Sequence, residues 1–340
     1  MKGAGLSVDK FSLFGKDIFG EPRQQRGGIM QRRYTWPPFS ILDGKAGPWL
    51  TRKRAWLALG IESELGREEH MSQLKRNSAD LYRGTMCAIS KGTSPDIQKK
   101  FESAGVGISV FDPVLCELMY TWFCPARGQV VDPFAGGSVR GIVATLLGFF
   151  YWGCDLSARQ IKANKKQVED ICPDLPPPKW VCGDSRTEMK NAPKADFIFS
   201  CPPYVDLEVY SELPQDLSTM EYPEFLAAYE DIISLCYERL KENRFACFVV
   251  GEVRDKKGYC RGFVADTINA FRKCGFQLYN DIVLITPSGS LSVRAGRSFD
   301  AARKLGKMHQ NVLLFAKGNA RKAAEAVKAA EAVNAGCRDS

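Results

Sequence analysis

Val131-Asp-Pro-Phe-Ala-Gly-Gly-Ser138 is the stretch that decides the fold. Residues 129–132 read as a short buried strand that ends in an acid, and residues 138–147 carry the apolar period of a helix. A glycine turn joins the two. Glycine lets the backbone approach a ligand closely, and open α/β sheets bind ligands beyond the carboxyl ends of their strands. The turn is not G-x-G-x-x-G, and no Gly-Lys-Ser/Thr follows, which disfavours a nucleoside triphosphate.

Outward from this turn the alternation continues. Residues 149–155, 180–184, 195–200 and 244–250 read as further strands, and residues 157–168, 221–241 and 261–273 as helices, the last stopped by Gly275. Strands alternating with helices predict a mostly parallel sheet covered on both faces. Residues 276–285 and 310–316 have no clear helix between them, so they are expected to be antiparallel neighbours joined by a long loop. Residues 320–335, rich in Ala, Glu and Lys, read as a marginal helix or tail.

Acids stand at three successive strand ends: Asp132, Asp155 and Asp184. A single one is more often a helix cap or a turn residue. Three in this order favour an adenosyl ligand, with Asp155 on the ribose hydroxyls and Asp184 accepting from the adenine amino group. The fourth strand ends in Ser200-Cys-Pro-Pro-Tyr204. A Pro-Pro turn is rigid and holds its carbonyls out of any helix. An aromatic ring beside it can stack on a flat base while acceptors meet the base amino group. Such a nitrogen is a poor nucleophile, and acceptors aimed at its N–H groups spread the positive charge that develops during attack.

With these motifs in hand, the chain resembles the amino-group DNA methyltransferases, which make N6-methyladenine or N4-methylcytosine. Asp132-Pro-Phe-Ala-Gly-Gly137 is similar to their cofactor motif and Cys201-Pro-Pro-Tyr204 to their catalytic motif. The resemblance covers about residues 105–318 and implies a Rossmann-like, seven-stranded methyltransferase sheet with S-adenosyl-L-methionine as cofactor. It implies cofactor contacts at Asp132, Phe134, Gly136, Gly137, Asp155 and Asp184. Through Ser109-Val-Phe-Asp-Pro113 it adds Phe111 or Asp112 near the methionine end. It assigns catalysis to Cys201, Pro202, Pro203 and Tyr204. One departure stands out: Cys201 occupies a position where the family has Asp, Asn or Ser, and a thiol is the weaker acceptor. Either the Pro202 carbonyl carries the load or Ser200 helps. A covalent cytosine-C5 mechanism is disfavoured because its Pro-Cys sequence is missing.

The 63 residues between Gly137 and Cys201 leave no room for a recognition domain. Substrate grip must come from elsewhere: the basic N-terminal region, residues 205–220, or the connection at 286–309. That connection carries Arg294, Arg297, Arg303, Lys304 and Lys307 against Asp300 alone, and of these Arg294, Arg297 and Lys304 are the expected substrate contacts.

The 340 residues carry a net charge of +8, with 45% hydrophobic and 25% charged residues, the balance of a globular protein. Residues 1–60 hold eleven Lys or Arg against four Asp or Glu, a clustering that suits a polyanion partner. The expected organisation is a poorly ordered basic segment at 1–36, a basic and aromatic extension at 37–104, a catalytic domain at 105–318 and an Ala-rich tail at 319–340. Trp49 and Trp56 lie seven apart around Arg52-Lys53-Arg54, which reads either as a small core face or as a nucleic-acid-contacting surface. The twelve cysteines form no CxxC pair, so no metal site is expected. Cys116, Cys154, Cys182, Cys236 and Cys247 fall in apolar contexts and read as buried free thiols of a reducing cytoplasm. No membrane span or signal peptide is read. The whole also resembles phage and prophage methylases, including the stretch from Pro37-Pro-Phe-Ser40 through Arg67, which implies a bacterial cytoplasm, or that of a phage-infected host, and double-stranded DNA as partner. Two rivals stay open: an RNA base amino-methyltransferase, and a DNA-binding protein that keeps the fold without catalysis. Adenine versus cytosine stays open as well.

Overall fold

A computed structural model describes residues 29–62, 111–204, 213–286 and 291–336. The N-terminal part contributes a short helix α1 (Ile29–Tyr34), a strand β1 (Ile41–Asp43) and a helix α2 (Gly47–Leu57). There follow α3 (Pro113–Phe123), β2 (Gln129–Asp132), α4 (Val139–Leu146), β3 (Phe150–Asp155), α5 (Ala158–Ile171) and β4 (Lys179–Cys182). The chain continues through α6 (Ser185–Glu188), β5 (Ala195–Ser200), α7 (Tyr222–Arg239), β6 (Leu240–Val250), α8 (Phe263–Lys273) and β7 (Gln277–Ile285). It closes with α9 (Leu291–Ala302), β8 (His309–Lys317) and α10 (Ala320–Gly336).

The strands form one sheet in the order β1-β7-β8-β6-β5-β2-β3-β4. β8 is antiparallel to both β6 and β7, as expected for the last two strands, and every other pairing is parallel. Strand order reverses between β2 and β5, the crevice where open α/β sheets take ligands. β5 lies in the middle, and all six of its residues are buried. That burial explains why it reads as a continuous apolar run rather than an alternating one.

Among the described residues the sheet has eight strands, not the seven expected. The extra one is β1, which extends the β7 edge by pairing Ile41 with Val283, Leu42 with Leu284 and Asp43 with Ile285. A three-residue strand is too short to carry a period of its own, and it forms only because β7 offers an edge. The basic extension therefore begins as part of the sheet.

Helix α2 then docks on α3. Trp49 and Trp56 are both fully buried, so the core face and not the exposed surface describes them. Their indoles donate to acids of α3 and its cap, Trp49 Nε1 to Asp112 Oδ2 at 3.2 Å and Trp56 Nε1 to Glu117 Oε2 at 2.9 Å. Arg52 forks onto Glu117, and Lys53 pairs with Asp112 at 3.0 Å. Part of the basic triplet is thus neutralised within the protein.

Capping residues set the helix starts. Asp112 accepts from Val114 N ahead of Pro113, and Ser157 accepts from Gln160 N. Helix α8 ends at Gly275, whose φ of 100° is a left-handed conformation that glycine adopts without strain. Two cores result. One packs α2 to α5 against one face, and the other packs α7 and α8, with Phe225, Tyr229, Phe271 and Phe276, against the opposite face. The C-terminal stretch is a helix packed on the domain, with Ala323 and Val327 buried. Cys182 departs from its apolar reading: it is exposed at the end of edge strand β4, while Cys116, Cys154, Cys236 and Cys247 are buried.

Candidate active site

The site is built around Asp132, at the end of β2 and fully buried. Its Oδ1 accepts from Ser200 Oγ at 2.5 Å and from Phe134 N at 3.0 Å. Its Oδ2 accepts from Arg140 Nε at 2.6 Å and from the Tyr151 hydroxyl at 2.7 Å. Four donors fill the four lone-pair sites of a carboxylate. Asp132 is therefore engaged by protein on every side and acts as a hub between the glycine turn and the end of β5.

Arg140, in the first turn of α4, is the partner that sequence reasoning missed. Its Nη2 donates to Phe134 O at 2.5 Å and to Ala135 O at 2.9 Å, so one guanidinium clamps the turn from below. Burial works to lower its pKa, but the Asp132 carboxylate raises it and wins, so Arg140 stays charged. The Phe111 ring lies 4.5 Å from its guanidinium carbon and packs edge-on to Phe199. Burial pushes the Tyr151 hydroxyl up, and Asp132 adds to the shift, which keeps it a donor. An arginine inside an apolar helix start was the signal: a charge there needs a partner.

Gly136 sits in the turn with φ of 51°. Its N–H donates to Asp155 Oδ2 at 2.9 Å, and Ser157 N donates to Oδ1 at 2.8 Å. Asp155 is half-buried at the end of β3, so its carboxylate reaches the rim of the turn. From α5, Asn164 Nδ2 donates to Gly136 O at 2.8 Å, while Gln167 Oε1 accepts from Ser138 Oγ at 3.0 Å. Gly137, like Gly136, is half-buried.

Asp184 lies two residues past β4 and caps α6, accepting from Arg186 N at 2.9 Å. The Arg186 guanidinium also grips both of its oxygens, at 2.7 Å for the closest contact. Asp112 is held by Trp49, Lys53 and Val114 N.

The second motif leaves β5. Pro202 is buried, and Cys201, Pro203 and Tyr204 are half-buried. The Ser200 hydroxyl is turned inward to Asp132, so it does not stand beside Cys201 as an auxiliary acceptor. The Tyr204 hydroxyl accepts from Gln310 Nε2 at 2.8 Å and lies 3.8 Å from Cys201 Sγ. Its ring packs edge-on against Phe263, 6.4 Å between centroids. Gly251 backs the ring, and a Cβ there would lie 3.7 Å from it. Gln310, at the start of β8, thus orients the tyrosine from a strand the sequence left unconnected to the motif.

The basic connection is not the long loop expected: residues 291–302 form α9. Glycines at 289, 296 and 306 hide its helical period. Arg297 is exposed on α9, and Lys304 is half-buried beyond it. The side chain of Arg294, and the whole of residues 205–212, lie outside the described residues. Among the described residues no group of three or more His, Cys, Asp or Glu could hold a metal ion, and no helix is long and apolar enough to cross a membrane.

Residues 195–334 match a family model described as DNA methylase. The resemblance to amino-group DNA methyltransferases therefore stands on the part of the chain that begins with β5 and the Pro-Pro motif. No curated protein matches the chain. Among solved structures, TrmN from Thermus thermophilus is 14% identical with a TM-score of 0.41, over 64% of this chain and 52% of that one. Magnesium protoporphyrin IX methyltransferase from Synechocystis PCC 6803, with its cofactor bound, is 12% identical with a TM-score of 0.38, over 73% and 97%. A second Thermus thermophilus protein, provisionally named a DNA modification methylase, is 19% identical with a TM-score of 0.31, over 40% and 51%. This chain thus covers about half the length of two of these three relatives.

Proposed function

We propose that the protein is an S-adenosylmethionine-dependent DNA methyltransferase that transfers a methyl group to an exocyclic amino group of a flipped base, adenine N6 or cytosine N4. The observation that carries the reading is the shared anchor: Asp132 ties the glycine turn after β2 and the Pro-Pro turn after β5 through one carboxylate. Those turns flank the crevice of the sheet, and the DNA methylase match begins at the same strand β5.

The groups around the crevice fit the cofactor. Asp155, at the rim beside the Gly136 N–H, suits ribose hydroxyls. Phe134, Gly136 and Gly137 belong to the same turn, Asp132 and Arg140 set its shape from beneath, and the Phe111 ring packs on Arg140. Asp184 is already clamped by Arg186, which leaves adenine recognition to backbone near Gly183 and Asp184 as much as to that carboxylate. The cofactor supplies an electrophilic methyl on sulfonium. The protein's part is to hold a base against Tyr204, meet its N–H groups with the Pro202 carbonyl and Cys201, and exclude water. Base flipping accounts for access to an amino group otherwise paired inside a duplex.

The test is methylation of matched DNA and RNA duplexes with labelled cofactor, followed by mass spectrometry of the nucleosides. Label in N6-methyladenine or N4-methylcytosine of DNA is the expected result. Label only in RNA would transfer the reading to an RNA methyltransferase, and nucleic-acid binding without label would leave a DNA-binding protein of the same fold.

A further inference from the structure

The segment between β6 and α8 was given no role by its sequence, and its construction asks for one. It leaves the sheet at Gly251, against the ring of Tyr204. Glu252 Oε1 then accepts from three backbone N–H groups, of Val253, Gly262 and Phe263, which pins both ends of the segment together. Above that base the chain forms a small hairpin. Arg254 bridges antiparallel to Cys260, Arg261 N donates to Val253 O, and Asp255 N donates to Tyr259 O at 2.8 Å. Asp255 Oδ1 accepts from Tyr259 N at 2.8 Å, closing the turn at Gly258, whose φ is 95°.

The hairpin's charges are sorted. Both of its acids, Glu252 and Asp255, are aimed at backbone N–H groups. Lys256 and Lys257 are exposed at the tip, and the Arg254 guanidinium, also exposed, leans on Gly258 O. Tyr259 is 72% exposed beside them, a large ring held out of the core by a rigid turn. An exposed aromatic set among exposed cations is the arrangement that binds nucleic-acid strands, with phosphates on the cations and a base on the ring.

The hairpin is also continuous with the basic connection between β7 and β8. A Cβ at Gly258 would collide with Lys304 Nζ, so that ammonium lies directly over the turn. The pairing of Val250 with Asn311 and of Ile285 with His309 puts both segments at the same end of the sheet, where Cys201 to Tyr204 also emerge.

We infer that the hairpin at residues 254–260 is a DNA-gripping element beside the target base, with Lys256 and Lys257 on backbone phosphates and Tyr259 stacked on a base next to the flipped one. This rests on the reading of the protein as a DNA methyltransferase. It goes beyond that reading by naming a contact on a different connection from the basic 286–309 stretch.

The experiment is fluorescence anisotropy of labelled duplex DNA and duplex RNA over a salt series. It uses the full chain and the variants Lys256→Ala with Lys257→Ala, and Tyr259→Ala. Calorimetry of S-adenosylmethionine reports whether each variant is folded, and a variant that loses it is replaced by Lys256→Gln with Lys257→Gln, or by Tyr259→Leu. Each phosphate contact contributes a slope of about −0.9 in log affinity against log salt, so the double lysine variant should flatten the slope by about two units. Tyr259→Ala should weaken DNA binding about ten-fold at one salt concentration and leave the slope unchanged, as for a lost base stack. A wild-type slope in the double variant, together with wild-type affinity in Tyr259→Ala, overturns the inference while leaving the methyltransferase reading intact. Failure of the unmutated protein to bind DNA overturns both, and binding confined to RNA moves the grip to that substrate.

Discussion

The Ser200 hydroxyl donates to Asp132 Oδ1 at 2.5 Å, across two neighbouring strands and 68 positions of sequence. One residue precedes the Pro-Pro motif and the other opens the glycine turn. Any shift of one turn is therefore felt by the other through a single buried carboxylate. The geometry makes Asp132 a positioning residue. Its oxygens accept from four protein donors, and Arg140 beneath it repeats the tie through Phe134 O and Ala135 O.

Removing one partner of a buried ion pair leaves the other charge unpaired, at a cost of about 3–5 kcal/mol. Asp132→Asn should lose that much stability, since the amide keeps one acceptor and turns a donor toward Arg140, Tyr151 or Ser200. Ser200→Ala should lose less, about 1.5–3 kcal/mol for a hydrogen bond to a charged group. Urea unfolding checks both. Equal costs for the two substitutions would show that the Arg140 pair contributes nothing beyond the serine contact.

Tyr204 is held by its hydroxyl and is expected to work through its ring. Tyr204→Phe keeps the ring and gives up the hydroxyl's contacts, the Gln310 bond among them, a net loss of about 0.5–1.5 kcal/mol per hydrogen bond. Tyr204→Ala removes the stacking face as well, worth about 1–3 kcal/mol per base, and should lower methyl transfer strongly with little change in cofactor affinity. Steady-state kinetics on one DNA duplex separates the two. If the phenylalanine variant is as slow as the alanine variant, the hydroxyl and its Gln310 contact are the working part.

The legible part of the chain was the part where local pattern and global fold agree. Glycines 136 and 137 after a buried strand, and Pro202-Pro203 after another, mark turns by residue types whose backbone preferences are local. Asp132 was legible as the acid that ends a strand but not as a hub, because that role depends on Arg140, Tyr151 and Ser200, which only folding brings together. The eighth strand was illegible because residues 41–43 hold no period and borrow their structure from β7. Trp49 and Trp56 were readable two ways, since seven-residue spacing fixes a face but not what covers it. The acids that decide the matter, Asp112 and Glu117, lie about sixty residues on.

The docking of α2 gives a further test. Trp56 is fully buried and its indole donates to Glu117, so Trp56→Ala should cost about 3–5 kcal/mol, the usual range for truncating a buried aromatic. Trp56→Phe keeps most of the packing and should cost about 1.5–3 kcal/mol through the lost bond to a carboxylate. Wild-type urea stability in the alanine variant would mean that the N-terminal extension is not part of the cooperative unit.

The proposed cofactor reading assigns the ribose hydroxyls to Asp155, at the rim of the turn. Asp155→Ala should weaken S-adenosylmethionine binding by about 1–3 kcal/mol, since it removes a charged acceptor and also frees the Gly136 N–H that shapes the turn. Asp184→Ala should cost less, because Arg186 already occupies both of its oxygens. Calorimetry of the two variants decides the order, and an unchanged affinity for Asp155→Ala would remove it from the cofactor site.

The basic connection between β7 and β8 is tested through residues whose side chains are described, Arg297 on α9 and Lys304 beyond it. Arg297 is exposed, and Lys304 lies over the turn at Gly258, at the end of the sheet where Tyr204 emerges. Neither has an acid within ion-pair distance among the described residues. Cations so placed raise the local concentration of a polyanion and contact its phosphates without regard to sequence. Arg297→Ala with Lys304→Ala should therefore weaken binding to every DNA duplex by a similar factor and flatten the salt slope by about two units. Fluorescence anisotropy between low and moderate salt reads both quantities. An unchanged slope would show that this connection does not touch the backbone, and the basic residues 1–60 would become the region to truncate next.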